Sequence, residues 1–193
     1  MGNLGSIQNM LKKLGVKSIV SSSPEDILQA EKLLLPGVGH FSRAMENLER
    51  YELIDVLNQK VIHEKTPILG ICLGMQLMTE YSEEGNCKGL GWIKAKTEKF
   101  VSFEKSGLKV PHMGWNEVSF KNNHFLSKEL TDPRFYFVHS YRVMCESADS
   151  VLCTTNYGGE FHSGIQHENI LGVQFHPEKS HAFGMKLLEN FCG

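Results

Sequence analysis

The sequence predicts a three-layer α/β domain that carries an antiparallel extension. Its first half alternates short apolar runs with segments of helical periodicity, and its second half consists mainly of short β-like runs. The chain then closes on a helical pattern at residues 179–191. Alternating strands and helices are typical of a parallel sheet covered by helices, whereas consecutive short strands tend to pair in antiparallel fashion.

The first half supplies most of the helices and the candidate parallel strands. Leucine and isoleucine recur at helical spacing over residues 3–14, and Gly15 can end this helix. Ser23 followed by Pro24 is typical of the first turn of a second helix. Strands are predicted at residues 17–20, 32–35 and 68–71, and further helices at 41–63 and 73–81.

The second half supplies the antiparallel extension. Its β-like runs are short and follow one another without intervening helices. The closing helix places its apolar residues on one face. The predicted strands cover residues 97–101, 116–120, 135–138, 142–145, 151–155, 164–166 and 172–175.

Composition limits the domain count and several classes of function. The 193 residues, 41% of them hydrophobic, fit one globular domain over residues 1–193. The net charge of −2 gives no reason to expect nucleic acid or an anionic membrane as a partner. No apolar segment approaches the ~18 residues that a membrane-spanning helix needs, and the N-terminus does not resemble a signal peptide.

The cysteines indicate a reducing compartment. Their number is odd, at five, and none follows a C-x-x-C spacing. A secreted disulfide framework and a structural zinc site are therefore not expected, and no metal or other cofactor is predicted. We accordingly expect the protein to be cytoplasmic.

Cys72 lies in the pattern Gly-Ile-Cys-Leu-Gly, where a predicted strand turns into a predicted helix. A tight strand-to-helix turn needs glycines on both sides of the nucleophile, because side chains there would clash with the backbone. The helix N-terminus favours a thiolate, and the N–H of Leu73 could help to bind an oxyanion. A lone cysteine is more often a buried packing residue, so a nucleophile also requires a partner base.

His176 is the best candidate for that base. It follows an apolar strand and precedes Pro177 and Glu178. An imidazole at a strand end with a carboxylate two residues later can form a Cys–His–Glu triad, in which the carboxylate orients the ring. Separately, each residue could be a surface charge at a strand end; together with the glycine-framed cysteine they favour catalysis.

Three further segments have both functional and structural interpretations. Gly37-Val38-Gly39 lacks the third glycine of a dinucleotide-binding loop, but its backbone N–H groups could form half of an oxyanion hole. The loop with His112 and Trp115 could be a partner surface or a packed turn. The segment 139–141, after a predicted strand, could line a pocket or be a polar strand end.

Taken together, the chain resembles the class I (triad) glutamine amidotransferases. The resemblance extends over nearly the whole chain and rests on these motifs in order: LPGVGHFSRAMENL, TPILGICLGMQLM, KVPHMGWN, YFVHSYRV and GVQFHPEKS. It implies a flavodoxin-like α/β fold and an enzyme that hydrolyses L-glutamine to glutamate and ammonia through a thioester on the cysteine.

The same resemblance assigns roles to individual residues. It implies a catalytic triad of Cys72, His176 and Glu178, and an oxyanion site formed by Gly37, Val38 and Leu73. It implies glutamine binding by Gln76, Glu84, His139, Ser140 and Tyr141. It implies a partner interface that includes Asn3, His112, Trp115 and Lys179.

Within the family, the chain is most similar to glutaminase subunits that pass ammonia to a (β/α)8-barrel cyclase. Such a heterodimer makes imidazole glycerol phosphate in histidine biosynthesis. A similar glutaminase that serves a sugar amidotransferase of surface-polysaccharide biosynthesis is an open alternative. Two further alternatives are a cysteine hydrolase of another kind and a non-catalytic interaction subunit, which Gln76 and the intact triad argue against.

The start of the chain departs from the family pattern. Family members carry a strand before the residues that match Gly2 and Asn3, whereas this sequence begins at Met1. We therefore expect the first strand of the parallel sheet to be missing, and Met1 to be an internal methionine chosen as the start. Losing a buried strand would expose two neighbouring strand edges and would remove apolar burial, which contributes ~25 cal/mol per Å².

Overall fold

The protein folds into an α/β structure built around one large mixed sheet and a separate two-stranded sheet. The computed structural model describes residues 4–100, 109–121 and 124–193. The α-helices are α1 (Leu4–Lys13), α2 (Pro24–Gln29), α3 (Phe41–Arg50), α4 (Leu53–Asn58), α5 (Leu73–Leu77) and α6 (His181–Cys192). The strands are β1 (Leu33–Gly37), β2 (Ile68–Cys72), β3 (Thr79–Ser82), β4 (Cys87–Lys88), β5 (Ile93–Lys99), β6 (His112–Glu117), β7 (Ser119–Phe120), β8 (Arg134–His139), β9 (Tyr141–Cys145), β10 (Val151–Asn156), β11 (Glu160–His167) and β12 (Ile170–Val173).

A parallel core of three strands brings the predicted site residues to one edge of the sheet. β2 lies between β1 and β12 and pairs with both in parallel. Gly37 is opposite Cys72 in the β1–β2 pair, and Val173 is opposite Ile71 in the β2–β12 pair. The carboxyl ends of all three strands therefore meet around Cys72, where ligands commonly bind in open α/β sheets.

Helices cover both faces of this sheet, which confirms the predicted three layers. Leu69 and Ile71 of β2 pack in one buried cluster with residues of α1 and α6. Ile68, which points to the opposite face, packs with residues of α3 and α4 in a second cluster. The alternation follows from the two-residue period of a strand, and it explains why β2 is apolar throughout.

The predicted antiparallel extension is also confirmed. β12 turns back into an antiparallel pair with β11, and the large sheet continues through β9, β5, β3 and β4. β10 lies off this path and pairs with β11, and β7 pairs with β10. β6 and β8 form the separate two-stranded sheet.

Two of the predicted helices differ from the structure. The helix predicted over residues 73–81 ends at Leu77, because the carbonyl of Met78 accepts hydrogen bonds from Trp92 and Ile93 and the chain continues as β3. The helix predicted over residues 41–63 divides at Glu52, whose φ is +55°, into α3 and α4, and it closes in a π-helical turn, Gln59–His63.

The strand predicted at residues 17–20 is also wrong. This segment forms no strand, and its Ile19 and Val20 side chains are 72% and 53% exposed. Within the described residues, β1 pairs only with β2, so its outer edge is unpaired and residues 17–20 form no ladder with it. A β-branched sequence cannot form a strand without a ladder partner, because its backbone groups would have only water to bind.

Candidate active site

Cys72 occupies a sharp turn between β2 and α5, as the sequence predicts. Its backbone angles are φ +55° and ψ −110°, a conformation that non-glycine residues rarely adopt. A Cβ atom on Gly74 would lie 1.6 Å from the carbonyl oxygen of Leu35, and one on Gly70 would lie 2.7 Å from the nitrogen of Met75. Both glycines are therefore required by the close approach of the backbone, and the prediction of a glycine-framed turn is confirmed.

His176 and Glu178 form a buried pair. His176 Nδ1 lies 2.8 Å from Glu178 Oε1, and both side chains are only 2% exposed. Since the carboxylate accepts a hydrogen bond from Nδ1–H, Nε2 is the nitrogen that faces the thiol. Nε2 is buried and forms no hydrogen bond with any of the described residues.

The groups around His176 favour the protonated form of its ring. Burial lowers the pKa of His176, but interaction with the Cys72 thiol and with Glu178 outweighs it and raises the pKa to about 9. The ring therefore binds a proton readily while remaining inside the protein. This is the property that a base must have if it is to accept a proton from the neighbouring sulfur.

The main chain of His176 is fixed by Ser180. The Ser180 hydroxyl donates a 2.6 Å hydrogen bond to the carbonyl of His176 and accepts a 3.0 Å hydrogen bond from the N–H of Tyr136. The N–H of His176 also donates to the carbonyl of Tyr136 at 2.9 Å. Ser180 is fully buried, so these bonds join the segment after β12 firmly to β8.

The predicted oxyanion residues lie around the same turn. Gly37 is opposite Cys72 in the sheet, and a Cβ atom there would lie 3.0 Å from Leu73 Cβ. Val38 follows at the surface, where it is 39% exposed. Gly39 has φ +105°, so the loop between β1 and α3 depends on a glycine at that position.

The predicted glutamine-binding residues are brought to the site with different surroundings. Gln76 Nε2 donates toward the carbonyl of Tyr141 at 3.4 Å and to Gln174 Oε1 at 3.0 Å. Glu84 accepts a 2.9 Å hydrogen bond from the N–H of Phe41, at the start of α3. Burial raises the pKa of Tyr141, and so does the negative charge of the nearby Glu84 and Glu83.

His139 and Ser140 are placed by the backbone around them. His139 Nδ1 donates a 2.7 Å hydrogen bond to the carbonyl of Tyr141, and its side chain is buried. Burial lowers the pKa of His139 to about 3, so the ring is neutral at physiological pH. The carbonyl of Ser140 accepts a hydrogen bond from the N–H of Phe100 at 3.0 Å.

The structure places the ring of His112 inside the protein, among aromatic side chains. Its side chain is 2% exposed, and its ring stacks on Tyr157 at 3.9 Å and on Phe137 at 4.7 Å. His112 Nδ1 also lies 2.9 Å from His139 Nε2. Burial lowers the pKa of His112 to about 4. The aromatic rings around it account for this burial, and the role of His112 at a partner interface stays a prediction.

The other predicted interface residues differ in accessibility. Trp115 is 42% exposed and stacks on His181 with an interplanar angle of 3°. Lys179 is exposed, and its ammonium lies 5.6 Å from the ring centre of Tyr136. Asn3 lies outside the described residues.

Comparison with known proteins identifies the family. The family model described as "Glutamine amidotransferase class-I" matches residues 1–192. The chain belongs to this family. A relative named "Imidazole glycerol phosphate synthase subunit HisH 2", from Methanococcus maripaludis, is 58% identical over 99% of this chain and 94% of its own length. A relative of the same name from Pseudomonas aeruginosa is 47% identical over 99% and 94%.

Solved structures of distant proteins support the fold of this amidotransferase. A crystal structure described as a glutamine amidotransferase is similar with a TM-score of 0.75 at 17% identity, covering 100% of this chain and 95% of that one. A glutamine amidotransferase from Thermotoga maritima is similar with a TM-score of 0.61 at 17% identity, covering 94% and 73%.

Two side chains in the amidotransferase site were not singled out from the sequence. Gln174 and Ser180 both belong to the motif GVQFHPEKS, but their contacts depend on strand pairing. Gln174 is buried next to Cys72, and Ser180 connects His176 with β8. A signal was present, since a polar residue between apolar ones at the end of a buried strand requires a partner.

No metal-binding cluster or membrane-spanning helix occurs in the part of the chain that the structure describes. Residues 4–100, 109–121 and 124–193 contain no group of three or more histidine, cysteine, aspartate or glutamate side chains that could hold a metal ion. None of the helices in these ranges is long and apolar enough to cross a membrane.

Proposed function

We propose that this chain is the glutaminase subunit of an imidazole glycerol phosphate synthase, acting as a single domain over residues 1–193. It hydrolyses L-glutamine and supplies the ammonia to a partner that uses it in histidine biosynthesis. The proposal depends above all on one observation: Cys72 stands on a strained turn beside a buried His176–Glu178 pair. The names of the HisH relatives support the pathway.

Cys72, His176 and Glu178 perform the chemistry as a triad. The Cys72 thiol gives its proton to His176, which forms a thiolate–imidazolium pair, and the thiolate attacks the side-chain carbonyl carbon of glutamine. His176 then gives this proton to the leaving nitrogen, so that ammonia departs and a glutamyl thioester remains. Water, deprotonated by His176, attacks the thioester, which releases glutamate and restores the thiol. Glu178 stabilises the imidazolium at each proton transfer.

The surrounding residues bind the charge that develops and the substrate. The oxyanion of each tetrahedral intermediate is held by the N–H of Leu73 and by N–H groups of the Gly37–Val38 loop. Gln76, Glu84, His139, Ser140 and Tyr141 surround the glutamine. Glu84 attracts the substrate ammonium group. Its carboxylate then gives up the hydrogen bond from the N–H of Phe41 and binds the ammonium group instead.

The partner is a (β/α)8-barrel cyclase that forms a heterodimer with this chain. Free ammonia is protonated in water at neutral pH, so a docked partner with a channel preserves the nucleophile. The strand β6 carries exposed Met113 and Trp115, and Lys179 lies nearby beside Tyr136, which supports this face as the docking surface. All five cysteines are free thiols, which supports a reducing cytoplasm.

A sugar amidotransferase acceptor is not favoured, because the relatives at 47–58% identity are named as imidazole glycerol phosphate synthase subunits. A non-catalytic role is not favoured either, because the proposed triad is intact and buried. One set of assays tests both whether the chain hydrolyses glutamine and which partner accepts the ammonia.

Glutamate release from glutamine tests the function. We expect slow release by the purified chain, faster release with a (β/α)8-barrel cyclase from the same genome, and glutamine-dependent production of imidazole glycerol phosphate by the pair. Cys72→Ser should abolish release while the cyclase still works with added ammonia. Release that is absent with and without the cyclase would contradict the glutaminase, and stimulation only by a sugar amidotransferase would contradict the proposed acceptor.

A further inference from the structure

Gln174 lies beside Cys72 because of the register of the parallel sheet. β12 ends at Val173, which is opposite Ile71, so the residue that follows β12 is adjacent to Cys72 at the end of β2. The side chain of Gln174 is fully buried. Its Nε2 atom lies 3.7 Å from the sulfur of Cys72, within the range of an N–H···S hydrogen bond.

The other end of the Gln174 amide is also engaged. Its Oε1 atom accepts a 3.0 Å hydrogen bond from Gln76 Nε2. The same Gln76 nitrogen donates toward the carbonyl of Tyr141 at 3.4 Å. Gln174 therefore joins the sulfur of Cys72 to a network of hydrogen-bonded polar groups, and within that network it is the residue that contacts the sulfur.

The donor and acceptor directions in this hydrogen-bond network are set by a group that can only accept hydrogen bonds. A backbone carbonyl has no proton, so the Tyr141 oxygen requires donors, and it receives one from His139 Nδ1 at 2.7 Å and one from Gln76 Nε2. Gln76 must therefore present its NH2 group toward Gln174. With its oxygen occupied in this way, Gln174 can offer only its own NH2 group to Cys72.

We propose that Gln174 is a positioning residue for Cys72, and this proposal rests on the glutaminase function proposed above. Its N–H group stabilises the thiolate relative to the thiol and holds the sulfur in one rotamer at the turn. A hydrogen bond from a donor to a charged acceptor inside a protein is stronger than one between neutral groups. Gln174 thus adds to the effect of His176 on the reactivity of Cys72 without exchanging a proton itself.

Alkylation by iodoacetamide tests the proposal without requiring glutamine. The rate is measured against pH on the full chain, the modified residue is assigned by peptide mass spectrometry, and the Cys72→Ser protein gives the background of the other four cysteines. Because only the thiolate reacts, the midpoint of the pH profile reports the balance between thiolate and thiol. A residue that only supports the fold would leave this midpoint unchanged.

Two substitutions separate the donor from the packing. Gln174→Met retains the length of the side chain but removes the donor, and we expect the midpoint to rise by about one pH unit, a roughly tenfold slower alkylation at neutral pH. Gln174→Glu retains the acceptor for Gln76 but faces the sulfur with a carboxyl group, so a larger rise is expected. Gln166→Glu, on β11 and bonded to the carbonyl of Asp149, is the matched control and should leave the profile unchanged.

An unchanged midpoint in either folded variant would overturn the proposal. If Gln174→Met does not fold, as judged by thermal melting, Gln174→Glu decides the question, since it preserves the bond to Gln76. Glutaminase kinetics then give a second readout: we expect kcat to fall more than KM rises. If the wild-type chain fails to release glutamate while the Gln174 variants still shift the alkylation midpoint, the proposed function is contradicted and the role of Gln174 is kept.

Discussion

Cys72 carries backbone strain that its own side chain does nothing to relieve. A non-glycine residue at φ +55° and ψ −110° costs of order 1–3 kcal/mol. The strain persists because Gly70 and Gly74 allow β1, β2 and α5 to approach more closely than any side chain would permit. The direction of the thiol is therefore determined by its neighbours in the fold, which is consistent with a preorganised nucleophile.

Glu178 should matter more to activity than to folding. We expect Glu178→Gln to lower kcat by roughly two to four orders of magnitude, because an amide can donate to Nδ1 of His176 and so place the proton on Nε2, where the base must be free. Steady-state glutamate release measures this effect. Glu168→Gln, at an exposed ion pair with Lys65, is the control and should keep wild-type kcat. Equal losses in both variants would contradict the triad.

The same substitution predicts a change in the pH dependence of stability. The folded protein holds the His176 proton up to about pH 9, whereas an unfolded histidine titrates near 6.5. The stabilisation is therefore complete below pH 6.5 and is lost as the pH rises through about 9. In Glu178→Gln we expect a smaller loss between these values, measured by urea denaturation at several pH values. An identical loss in both proteins would contradict the proposed stabilisation of the imidazolium.

At the scale of single elements, the short helix α5 is held against the sheet by backbone contacts. The carbonyl of Leu35 in β1 lies where a Cβ of residue 74 would be, so helix and strand touch without intervening side chains. This contact sets the distance between the β1 loop and Cys72. Any group added there must move one of the two elements.

Gly74→Ala should therefore be strongly destabilising. A methyl group 1.6 Å from a backbone oxygen cannot be accommodated by a rotamer change, and we expect the free energy of unfolding to fall by about 3 kcal/mol or more. Gly5→Ala in α1, where a Cβ meets nothing within 4 Å, is the matched control and should stabilise the protein by up to about 1 kcal/mol. Chemical denaturation of both variants checks the prediction, which a tolerated alanine at position 74 would refute.

Ser180 couples β8 to the segment that carries His176. Ser180→Ala removes the hydroxyl that accepts from the N–H of Tyr136, and it leaves the carbonyl of His176 with only the N–H of Lys179 as a donor. We therefore expect a loss of about 1–3 kcal/mol in stability. Because His176 also loses its anchor, we expect kcat to fall roughly ten- to hundredfold. Ser127→Ala, which removes a 2.8 Å bond to the carbonyl of His124, should affect stability alone. Wild-type kcat in Ser180→Ala would contradict the anchoring role.

At the scale of the whole molecule, exposed apolar residues lie on β6, whose partner strand β8 is bonded to the segment of His176. Met113 and Trp115 on β6 are 60% and 42% exposed, while the side chain of His112 on the same strand is buried. Alternation along the strand thus presents one set of side chains to solvent and the other to the aromatic cluster around His139. A partner bound to the outer set would lie close to the proposed active site.

Trp115→Ala tests this face. Exposed tryptophans at interfaces commonly contribute more than about 1 kcal/mol, so we expect the Kd for the cyclase to increase by roughly tenfold or more. Tyr51→Ala removes an aromatic residue of similar exposure, 51%, at the end of α3 in the opposite helical layer, and should leave the Kd unchanged. Titration calorimetry measures both. An equal change, or none with Trp115→Ala, would place the docking surface elsewhere.

The local chemistry of the chain was predictable because it depends on neighbours in sequence. The glycines around Cys72, the pairing of His176 with Glu178, and the three-layer arrangement follow from residue spacing and periodicity. Segments that rely on a distant partner were predicted poorly. Residues 17–20 have strand propensity but pair with no strand, and α5 ends before Met78, whose carbonyl accepts hydrogen bonds from the N–H groups of Trp92 and Ile93. Propensity alone carries no information on whether such a partner exists.

The sequence by itself determined which residues can do the chemistry, since glycine spacing, a thiol and a histidine–carboxylate pair are local properties. Only the tertiary structure decided which polar groups face one another. It buried His112 within an aromatic cluster, placed Glu84 at the start of α3, and brought Gln174 to the sulfur of Cys72. The physical reason is strand register: parallel pairing sets residues from β1, β2 and β12 side by side, although they are far apart in the chain.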